Sequence, residues 1–438
     1  MFVVLSAVVQ VVFAAAFGAC VGSLINVLVY RLPLGLGVVT PPSRCPSCET
    51  RLTWRENIPI FGWLALRGRC RFCRSPISSE YPLVEAFVAT LFALITLAWF
   101  ALPADTQVFG VAMEAIRPEW TLNGFPKVWP AYIAILTLVS CLVAMTLVDA
   151  KTFTIPLVLA YVPVVAAVVF HLVLVLIAGE RGLRDTAPGY VWIIPEPGPF
   201  GWALAGVAAG GVLGLIVSCC LLEFGWLRRS FADYDEWEAT AVRQAEAEAA
   251  ESGVSEPVTP ETLWIQYPHA RREMFKELLF LAPAIVLGIL GYSVGQAIGG
   301  PWAIDPELGV LAPASELPMW ARALAGIALG FLAGGAAVWA MRILGTLAFG
   351  KEALGLGDAH LMAGVGAVLG WIDPVLAFFL AAFVGVASEA VRGIFAGGMK
   401  RMMPYGPYLA AATLIVMLAK PLVEIVLSKL GHTTINLP

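Results

Sequence analysis

Ten apolar stretches alternate with polar segments along the whole chain. Because an α-helix needs about 20 apolar residues to cross the hydrocarbon core of a bilayer, this pattern predicts an all-α, polytopic bundle of transmembrane helices. We expect about 8–10 spans, since the eighth stretch is short and only Ile372, Asp373 and Pro374 separate it from the ninth. The predicted spans are residues 3–30, 82–103, 129–148, 154–178, 201–222, 277–298, 319–343, 359–372, 374–395 and 406–428.

The composition supports a lipid bilayer as the surroundings of this chain. Of its 438 residues, 59% are hydrophobic and 13% are charged, and the mean hydropathy is +0.83. Soluble domains carry about 25% charged residues. The net charge is −4, and the basic residues form no concentrated basic face. This distribution argues against a nucleic-acid partner. The first basic residue, Arg31, follows the first apolar stretch, so we expect that stretch to remain a spanning helix and not a cleaved signal peptide.

The distribution of basic residues predicts the orientation of the spans, because cytoplasmic loops are enriched in Lys and Arg. The segment 31–81 holds eight Arg against three Glu, so we expect it in the cytoplasm. Counting spans forward places Lys151, the segment 223–276, the segment 344–358 and the loop 396–405 on the same side. Both termini are then expected on the opposite side.

One of these cytoplasmic segments has an unusual composition. Residues 232–251 combine acidic residues with interleaved Ala and predict a polar helix, which is followed by a linker interrupted by Pro257 and Pro260. We interpret the segment as a solvated spacer between spans. An arm that docks a partner is the alternative.

Four of the eight Cys residues form two C-x-x-C pairs in the segment 31–81. Cys45 and Cys48 are separated by 21 residues from Cys70 and Cys73, slightly more than the roughly 15–20 of common zinc sites. Two such pairs offer four thiolates to one tetrahedral ion and leave no position open. The pattern therefore predicts a structural zinc in a small zinc-ribbon-like cytoplasmic loop. A redox pair or disulfides are the alternative, which the reducing cytoplasm disfavours.

Two acidic residues lie where apolar stretches end or begin on the cytoplasmic side. Asp149 closes the third stretch and Asp358 opens the eighth. An Asp that faces lipid headgroups, or an N-cap in the case of Asp358, is the simpler interpretation of each residue alone. Together they predict an aspartyl protease, because two nearby carboxylates share one proton. One can then take a proton from water while the other polarises a peptide carbonyl. Gly355 and Gly357 would let an extended substrate backbone approach closely.

Seven ordered blocks of residues resemble the bacterial type IV prepilin leader peptidases. They fall within residues 10–105, 129–160 and 340–415, which include the four-Cys segment and both Asp residues. The blocks are Phe17-Gly18-x3-Gly22-Ser23-x2-Asn26-Val27-x2-Tyr30-Arg31-Leu32-Pro33, Glu56 to Cys73, Tyr81-Pro82-Leu83-Val84-Glu85, Leu147-Val148-Asp149-Ala150-Lys151 with Ile155-Pro156, Gly355-Leu356-Gly357-Asp358-Ala359-His360-Leu361-Met362, Leu369-Gly370-Trp371 and Pro404-Tyr405-Gly406-Pro407-Tyr408.

The resemblance implies a substrate, cofactors and a location. Members of this family cut the short basic leader from prepilins and pseudopilins at the bacterial inner membrane. Many then methylate the new N-terminus with S-adenosylmethionine, and the four-Cys loop and the Tyr81–Glu85 block accompany those members. The resemblance thus implies a peptidase that is also an N-methyltransferase. Glu85 is the first candidate for a methyl-donor contact, followed by Asn26 and Arg31. An interfacial role for Glu85 and an anchoring role for Arg31 are the alternatives.

The chain departs from the family pattern in three places. His360 stands where the family usually has Lys, Leu157 stands where it has a polar residue, and the segment 178–320 exceeds the usual spacing between the Asp motifs. We divide the chain into a first span (1–31), a four-Cys loop (32–81), helices with the first Asp (82–178), an inserted segment (179–318) and helices with the second Asp (319–438).

Two alternative functions remain open at this point. A peptidase that does not methylate its product has the same motifs. A non-catalytic transporter or scaffold would use the membrane acids to carry protons. The sequence predicts neither the client pilin nor whether the chain self-associates.

Overall fold

The computed structural model describes residues 2–103, 106–108, 111–113, 117–184, 194–197, 201–252, 267–300, 302–304, 311–313, 315, 317–396 and 404–431. Most of these residues are helical. The α-helices are α1 (Phe2–Arg31), α2 (Phe61–Ala65), α3 (Glu80–Thr96), α4 (Phe125–Thr152), α5 (Leu157–Arg184), α6 (Gly201–Glu223), α7 (Tyr234–Ser252), α8 (Ala270–Gly299), α9 (Met319–Phe349), α10 (Leu356–Leu369), α11 (Ile372–Ala396), α12 (Gly406–Leu418) and α13 (Lys420–Gly431).

Short elements of other kinds connect some of the helices. A π-helical turn, Leu97–Ala101, extends α3, and a 3-10 helix, Glu119–Asn123, precedes α4. Two antiparallel hairpins pair β1 with β2 and β3 with β4. Their strands are β1 (Gln107–Val108), β2 (Val111–Ala112), β3 (Trp302–Ile304) and β4 (Leu311–Pro313).

Eight of the described helices are long and apolar enough to cross a membrane, namely α1, α3 with its π-helical turn, α4, α5, α6, α8, α9 and α11. The helices α10 and α12 are apolar but shorter. The predicted all-α polytopic bundle is therefore confirmed. Two predicted spans differ in detail. The eighth becomes α10, which has 14 residues. The tenth divides at Ala419 into α12 and α13, because Pro421 has no N–H group to continue the hydrogen-bonded ladder.

The chain forms two compact units. The first comprises Met1–Ile194, Phe379–Val384 and Pro404–Pro438, and the second comprises Pro195–Phe378 and Gly385–Met403. In the first unit, α1, α5 and α12 pack on α4, whose membrane-crossing part is 72% buried, and α1 packs along α3. In the second unit, α6 packs against α8, both helices contact α9, and α9 packs along α10.

Glycine lets the helices of the second unit approach closely. A Cβ on Gly206 of α6 would overlap the carbonyl oxygen of Gly291 in α8, and a Cβ on Gly330 of α9 would overlap that of Gly366 in α10. Small residues at such contacts drive helix association in lipid, where apolar side chains gain little by leaving the acyl chains. This packing holds α10, which carries Asp358, directly against α9.

Contacts between helix ends agree with the predicted orientation within each unit. In the first unit, Lys151 near the end of α4 pairs with Glu80 at the beginning of α3, with an N···O distance of 2.9 Å. In the second, Arg271 at the beginning of α8 donates to the carbonyl oxygen of Ala348 near the end of α9 at 3.3 Å. The charge pattern had placed all four of these helix ends on the cytoplasmic side.

The inserted segment contributes α6, α7, α8 and the second hairpin. The predicted polar helix at 232–251 is confirmed as α7. The linker with Pro257 and Pro260 and most of the predicted loop 396–405 lie outside the described residues.

Candidate active site

Asp149 lies in the last turn of α4, and only 6% of its surface is exposed. The helix stops at Phe153, which adopts the left-handed conformation with φ 53°. The N–H of Phe153 donates to the Asp149 carbonyl oxygen at 2.9 Å. The carboxylate is therefore attached to a fixed backbone at the helix end.

Gly406, at the beginning of α12, holds the Asp149 carboxylate in place. Its N–H donates to Asp149 Oδ2 at 3.1 Å. The first N–H groups of a helix have no partner within the helix and carry a partial positive charge, so they suit a carboxylate. A Cβ at position 406 would lie 2.7 Å from Oδ2, so a larger residue would displace the carboxylate from this position. Gly406 belongs to the last of the seven blocks that resemble the family, but its contact with Asp149 could not be predicted from that block.

Asp358 lies in the first turn of α10 and is 7% exposed. The N-cap of this helix is Gly355, which has extended backbone angles, so the N-cap interpretation of Asp358 is wrong. Asp358 is instead the third helical residue, where a negative charge is favoured by the helix dipole.

Gly355, which precedes α10, lies beside the Asp358 carboxylate. A Cβ on Gly355 would come within 3.5 Å of Asp358 Oδ2, an ordinary contact distance. His360, one turn into the helix, places its Nδ1 2.8 Å from the carbonyl oxygen of Leu356. The approach of a substrate backbone at Gly355 and Gly357 stays a prediction.

The two acidic residues belong to different units of the chain. Asp149 lies in the first unit and Asp358 in the second. Both are buried near helix ends, as a catalytic pair requires. Their convergence on one substrate stays a prediction.

The four thiol groups of Cys45, Cys48, Cys70 and Cys73 form one cluster. All four Sγ atoms lie within 4.8 Å of one another, and the four residues are free cysteines. The Sγ atoms of Cys45 and Cys73 are 3.8 Å apart, and those of Cys48 and Cys70 are 3.9 Å apart. Zinc bound at about 2.3 Å from each sulfur would place tetrahedral sulfurs about 3.8 Å apart. The cluster therefore fits the predicted ion.

The two C-x-x-C pairs are built on the same turn. In each, the N–H of the first Cys donates to the carbonyl oxygen five residues later, at 3.0 Å for Cys45 and 2.9 Å for Cys70. The residue after the second Cys is left-handed in both, with φ 55° at Glu49 and 60° at Arg74. This repeated turn points the sulfurs of each pair inward.

Hydrogen bonds to sulfur favour the thiolate form of Cys45 and Cys73, whereas burial and the neighbouring thiols of Cys73 and Cys45 raise the pKa of Cys70. The N–H groups of Cys48 and Ser47 lower the pKa of Cys45 to about 6. The hydroxyl and N–H of Ser75 lower the pKa of Cys73. Because zinc binds the thiolate and not the thiol, these donors favour metal binding near neutral pH.

Glu85 is buried in α3 beside the four-Cys loop. Its Oε2 accepts the N–H of Ile60 at 2.6 Å, and the Ser23 hydroxyl of α1 is a second donor. Ile60 has φ 62°, a conformation that β-branched residues rarely adopt. The carboxylate therefore holds the loop backbone in a shape that the loop would not favour alone.

The other two methyl-donor candidates also bind the main chain. Asn26 donates from Nδ2 to the carbonyl oxygen of Tyr81 at 3.1 Å. Arg31 donates from Nη1 to the carbonyl oxygens of Gly37 and Val38, both at 2.9 Å. These contacts hold the two ends of the four-Cys loop. A role in methyl-donor binding stays a prediction for both residues and for Glu85.

One family model matches the first part of the chain. Residues 16–99 match the family model described as the bacterial peptidase A24 N-terminal domain. This range contains the end of α1, the four-Cys cluster and Glu85. No solved structure matches the chain.

Curated relatives extend the similarity beyond this domain. The chain is 36% identical over 180 residues to a prepilin leader peptidase/N-methyltransferase of Myxococcus xanthus (strain DK1622), which covers 41% of this chain and 46% of the relative. Proteins of the same name from Pectobacterium carotovorum subsp. carotovorum and Klebsiella pneumoniae are 34% identical over 160 residues and 45% identical over 83 residues. These matches cover 32% and 18% of this chain, and 48% and 36% of the relatives. The chain thus spans less than half the length of each of these three relatives.

The resemblance predicted from the sequence motifs is confirmed by these matches. Together with the eight described helices that are long and apolar enough to cross a membrane, they support a multi-pass bacterial membrane protein.

Proposed function

From its similarity to the bacterial type IV prepilin peptidases, we propose that this chain is a membrane-embedded aspartyl endopeptidase. It removes the leader peptide of prepilins or pseudopilins at the cytoplasmic face of the inner membrane and N-methylates the exposed N-terminus with S-adenosylmethionine. The observation that carries the proposal is the burial of Asp149 and Asp358 at helix ends that the charge pattern assigns to the cytoplasmic side. Each lies in a block of residues that resembles the family.

Asp149 and Asp358 act as a pair that shares one proton. The ionised carboxylate takes a proton from a water molecule, and the resulting hydroxide attacks the scissile carbonyl carbon. The protonated carboxyl group donates a hydrogen bond to the carbonyl oxygen and later transfers its proton to the leaving amine. The N–H of Gly406 fixes one oxygen of Asp149, so that the carboxylate keeps one orientation through the reaction.

The four-Cys loop holds a structural zinc. Cys45, Cys48, Cys70 and Cys73 would supply all four ligands, which leaves no position for water or substrate. The ion supplies folding energy to a loop with little core of its own. Through Ile60, Glu85 connects that loop to α3.

Mass analysis of a co-expressed prepilin tests the proposal. The wild type should release a pilin that has lost its leader and gained one methyl group. Asp149→Asn and Asp358→Asn should each leave the prepilin uncut, because an amide can neither accept the water proton nor donate as an acid. Asp373→Asn is the matched control, since Asp373 is also buried in the first turn of a helix but lies outside the motifs.

The outcomes separate the proposal from its alternatives. Cleavage without the mass of a methyl group would identify a peptidase that does not methylate. Cleavage that survives both Asp substitutions would overturn the aspartyl mechanism and favour a transporter or scaffold.

A further inference from the structure

Arg342 in α9 holds the loop that leads into α10. Its guanidinium is buried, and Nη1 donates to the carbonyl oxygen of Leu354 and pairs with the carboxylate of Glu352. Between those two residues, the N–H of Ala353 donates to Thr346 Oγ1 at 3.1 Å. Three successive loop residues are therefore attached to α9, immediately before the second Asp motif.

The orientation of that guanidinium is fixed by Glu277 of α8. Glu277 Oε1 lies 3.0 Å from Nη2 and 3.1 Å from Nε of Arg342, and Oε2 accepts the indole N–H of Trp339 at 2.7 Å. The ring of Phe231 lies 5.3 Å from the guanidinium carbon. Glu277 and Arg342 are each only 3% exposed. Both Glu277 and Phe231 belong to the inserted segment.

The geometry of arginine connects the two sets of contacts. A guanidinium carries five N–H donors in one rigid plane, so a carboxylate that accepts from Nε and Nη2 also fixes the direction of Nη1. Without Glu277, the buried cation would turn toward Glu352, its remaining acidic partner. The hydrogen bond to Leu354 would then lose its fixed donor.

We propose that Glu277 and Arg342 form a clamp that positions Asp358, so that the inserted segment contributes to the active site. This inference rests on the proposed peptidase function. Asp358 follows the clamped Leu354 by four residues and lies in the first turn of α10, whose body packs on α9. Fixing the loop therefore fixes the beginning of the helix and its carboxylate. Glu277 and Arg342 are positioning residues and do not touch the substrate.

An ion pair that only joins α8 to α9 is the competing explanation. It predicts a loss of stability with no selective loss of turnover. The double variant Glu277→Gln with Arg342→Gln separates the two explanations. Two amides can still hydrogen-bond between the helices, and replacing both partners avoids the unpaired buried charge that a single substitution would leave. A glutamine at position 342 is too short to reach both its helix partner and Leu354.

The test measures cleavage kinetics of a prepilin in detergent together with amide hydrogen exchange over residues 350–358. In the double variant, kcat should fall about 100-fold with KM little changed, since a misplacement of about 1 Å at a catalytic group costs that much. Exchange in the loop should accelerate. Methylation of a pilin that has already been cut should be unaffected, because its candidate contacts, Glu85, Asn26 and Arg31, lie in the first unit.

The matched control is the double variant Glu196→Gln with Arg322→Gln. This Glu–Arg pair also involves α9, at its other end, with an N···O distance of 3.7 Å. It should leave kcat and loop exchange as in the wild type. If the Glu277 and Arg342 double variant does not accumulate, Arg342→Lys replaces it. A lysine keeps the charge but cannot bind Glu277 and Leu354 together, so about a 10-fold fall in kcat is expected.

Each outcome decides the proposal. Faster loop exchange with a kcat equal to that of the control overturns the positioning role, and so does a lower kcat with unchanged exchange. A wild type that does not cut prepilin overturns the proposed function instead, while the exchange measurement still tests whether the clamp orders the loop.

Discussion

The four-Cys loop and a polar part of the inserted segment both lack a large apolar core, and different groups order each of them. Both are short segments outside the membrane-crossing helices, too small to form an apolar core of the usual kind. The first gathers four sulfurs within 4.8 Å of one another. The second gathers aromatic rings around Tyr267, whose ring centroid lies 5.3–6.1 Å from those of its neighbours. We call these residues the aromatic cluster: Phe231, Tyr234, Trp237, Tyr267 and His269.

Acidic side chains accept hydrogen bonds from the aromatic cluster, whereas in the four-Cys loop N–H groups donate hydrogen bonds to sulfur. The Tyr267 hydroxyl donates to Asp233 Oδ1 at 2.7 Å. The buried carboxylate of Glu273 accepts the N–H of Phe231 at 2.8 Å and pairs with Lys276 at 2.8 Å. The segment interpreted from sequence as a solvated spacer therefore includes an ordered cluster near the beginnings of α7 and α8. The difference teaches that a cluster of four thiol groups and a set of packed aromatic rings can each order a small polar segment.

The largest expected effect is the loss of metal from the four-Cys loop. Cys70→Ser should reduce bound zinc from about one atom per chain to near zero, because three thiolates and a hydroxyl bind zinc far more weakly than four thiolates. Elemental analysis of purified protein measures this directly. Cys219→Ser is the control, since Cys219 is exposed on α6 and lies outside the cluster. Zinc retained in the Cys70 variant, or absent from the wild type, would refute the metal site.

The comparison also shows what the sequence could predict. Fixed spacing of a rare residue type identified the sulfur cluster, since thiolates have few other reasons to recur in pairs. Apolar length identified the helices for the same kind of reason, because a bilayer has one thickness. The aromatic cluster has no fixed spacing, and its rings come from two segments on either side of the linker at 253–266.

The contacts that position Asp149 and Asp358 could not be predicted from the sequence. The hydrogen bond of Gly406 to Asp149 joins residues 257 apart in the chain. The ion pair of Arg342 with Glu277 joins residues 65 apart. Such pairs follow from how helices pack, which small residues and lipid decide over many positions at once. The sequence therefore identified the acidic residues and not the groups that hold them.

The second prediction breaks the aromatic cluster at its buried acid. Glu273→Ala should lower the free energy of unfolding by about 2–3 kcal/mol, because it leaves the Phe231 N–H and the partly buried Lys276 without their acceptor. Thermal unfolding in detergent measures the loss. Glu236→Ala, on the exposed side of α7, should change stability by less than about 0.5 kcal/mol. Equal effects of the two substitutions would show that the cluster contributes no stability.

The third prediction uses pH to test the hydrogen bond within the aromatic cluster. The Tyr267 hydroxyl holds the pKa of Asp233 below its usual 3.8. A carboxyl group with a lowered pKa in the folded state stabilises the protein above the unfolded pKa, and this contribution disappears as pH falls through the folded pKa. Asp233→Asn should therefore lower the unfolding temperature at neutral pH, and the difference from wild type should shrink below about pH 3.8.

Tyr267→Phe supplies the control for this titration. In that background the hydroxyl donor is missing, so adding Asp233→Asn should produce a smaller change at neutral pH than it does in the wild type. A difference between wild type and Asp233→Asn that stays constant from neutral to acid pH would show that the hydrogen bond does not depend on the ionised carboxylate.

The smallest expected effect concerns a backbone conformation that the two regions share. Glu49 in the four-Cys loop and Phe231 in the aromatic cluster are both left-handed, with φ 55° and 53°. The left-handed conformation destabilises the folded state by about 1–2 kcal/mol for a residue with a side chain. Glycine removes this cost, but its greater conformational freedom in the unfolded chain offsets part of the gain in stability. Glu49→Gly should thus stabilise the loop by about 0.5 kcal/mol and slow the removal of zinc by a chelator.

The same substitution at Phe231 should act in the opposite direction. Glu49 contributes only an exposed pair with Arg44 at 3.7 Å, which is worth little. Phe231 contributes its ring to Tyr267 and to the guanidinium of Arg342, so Phe231→Gly relieves the backbone but removes the packing. In the four-Cys loop the side chain at the left-handed position is dispensable because sulfur holds the turn. In the aromatic cluster that side chain is itself what holds the segment, so two glycine substitutions with the same sign would refute this distinction.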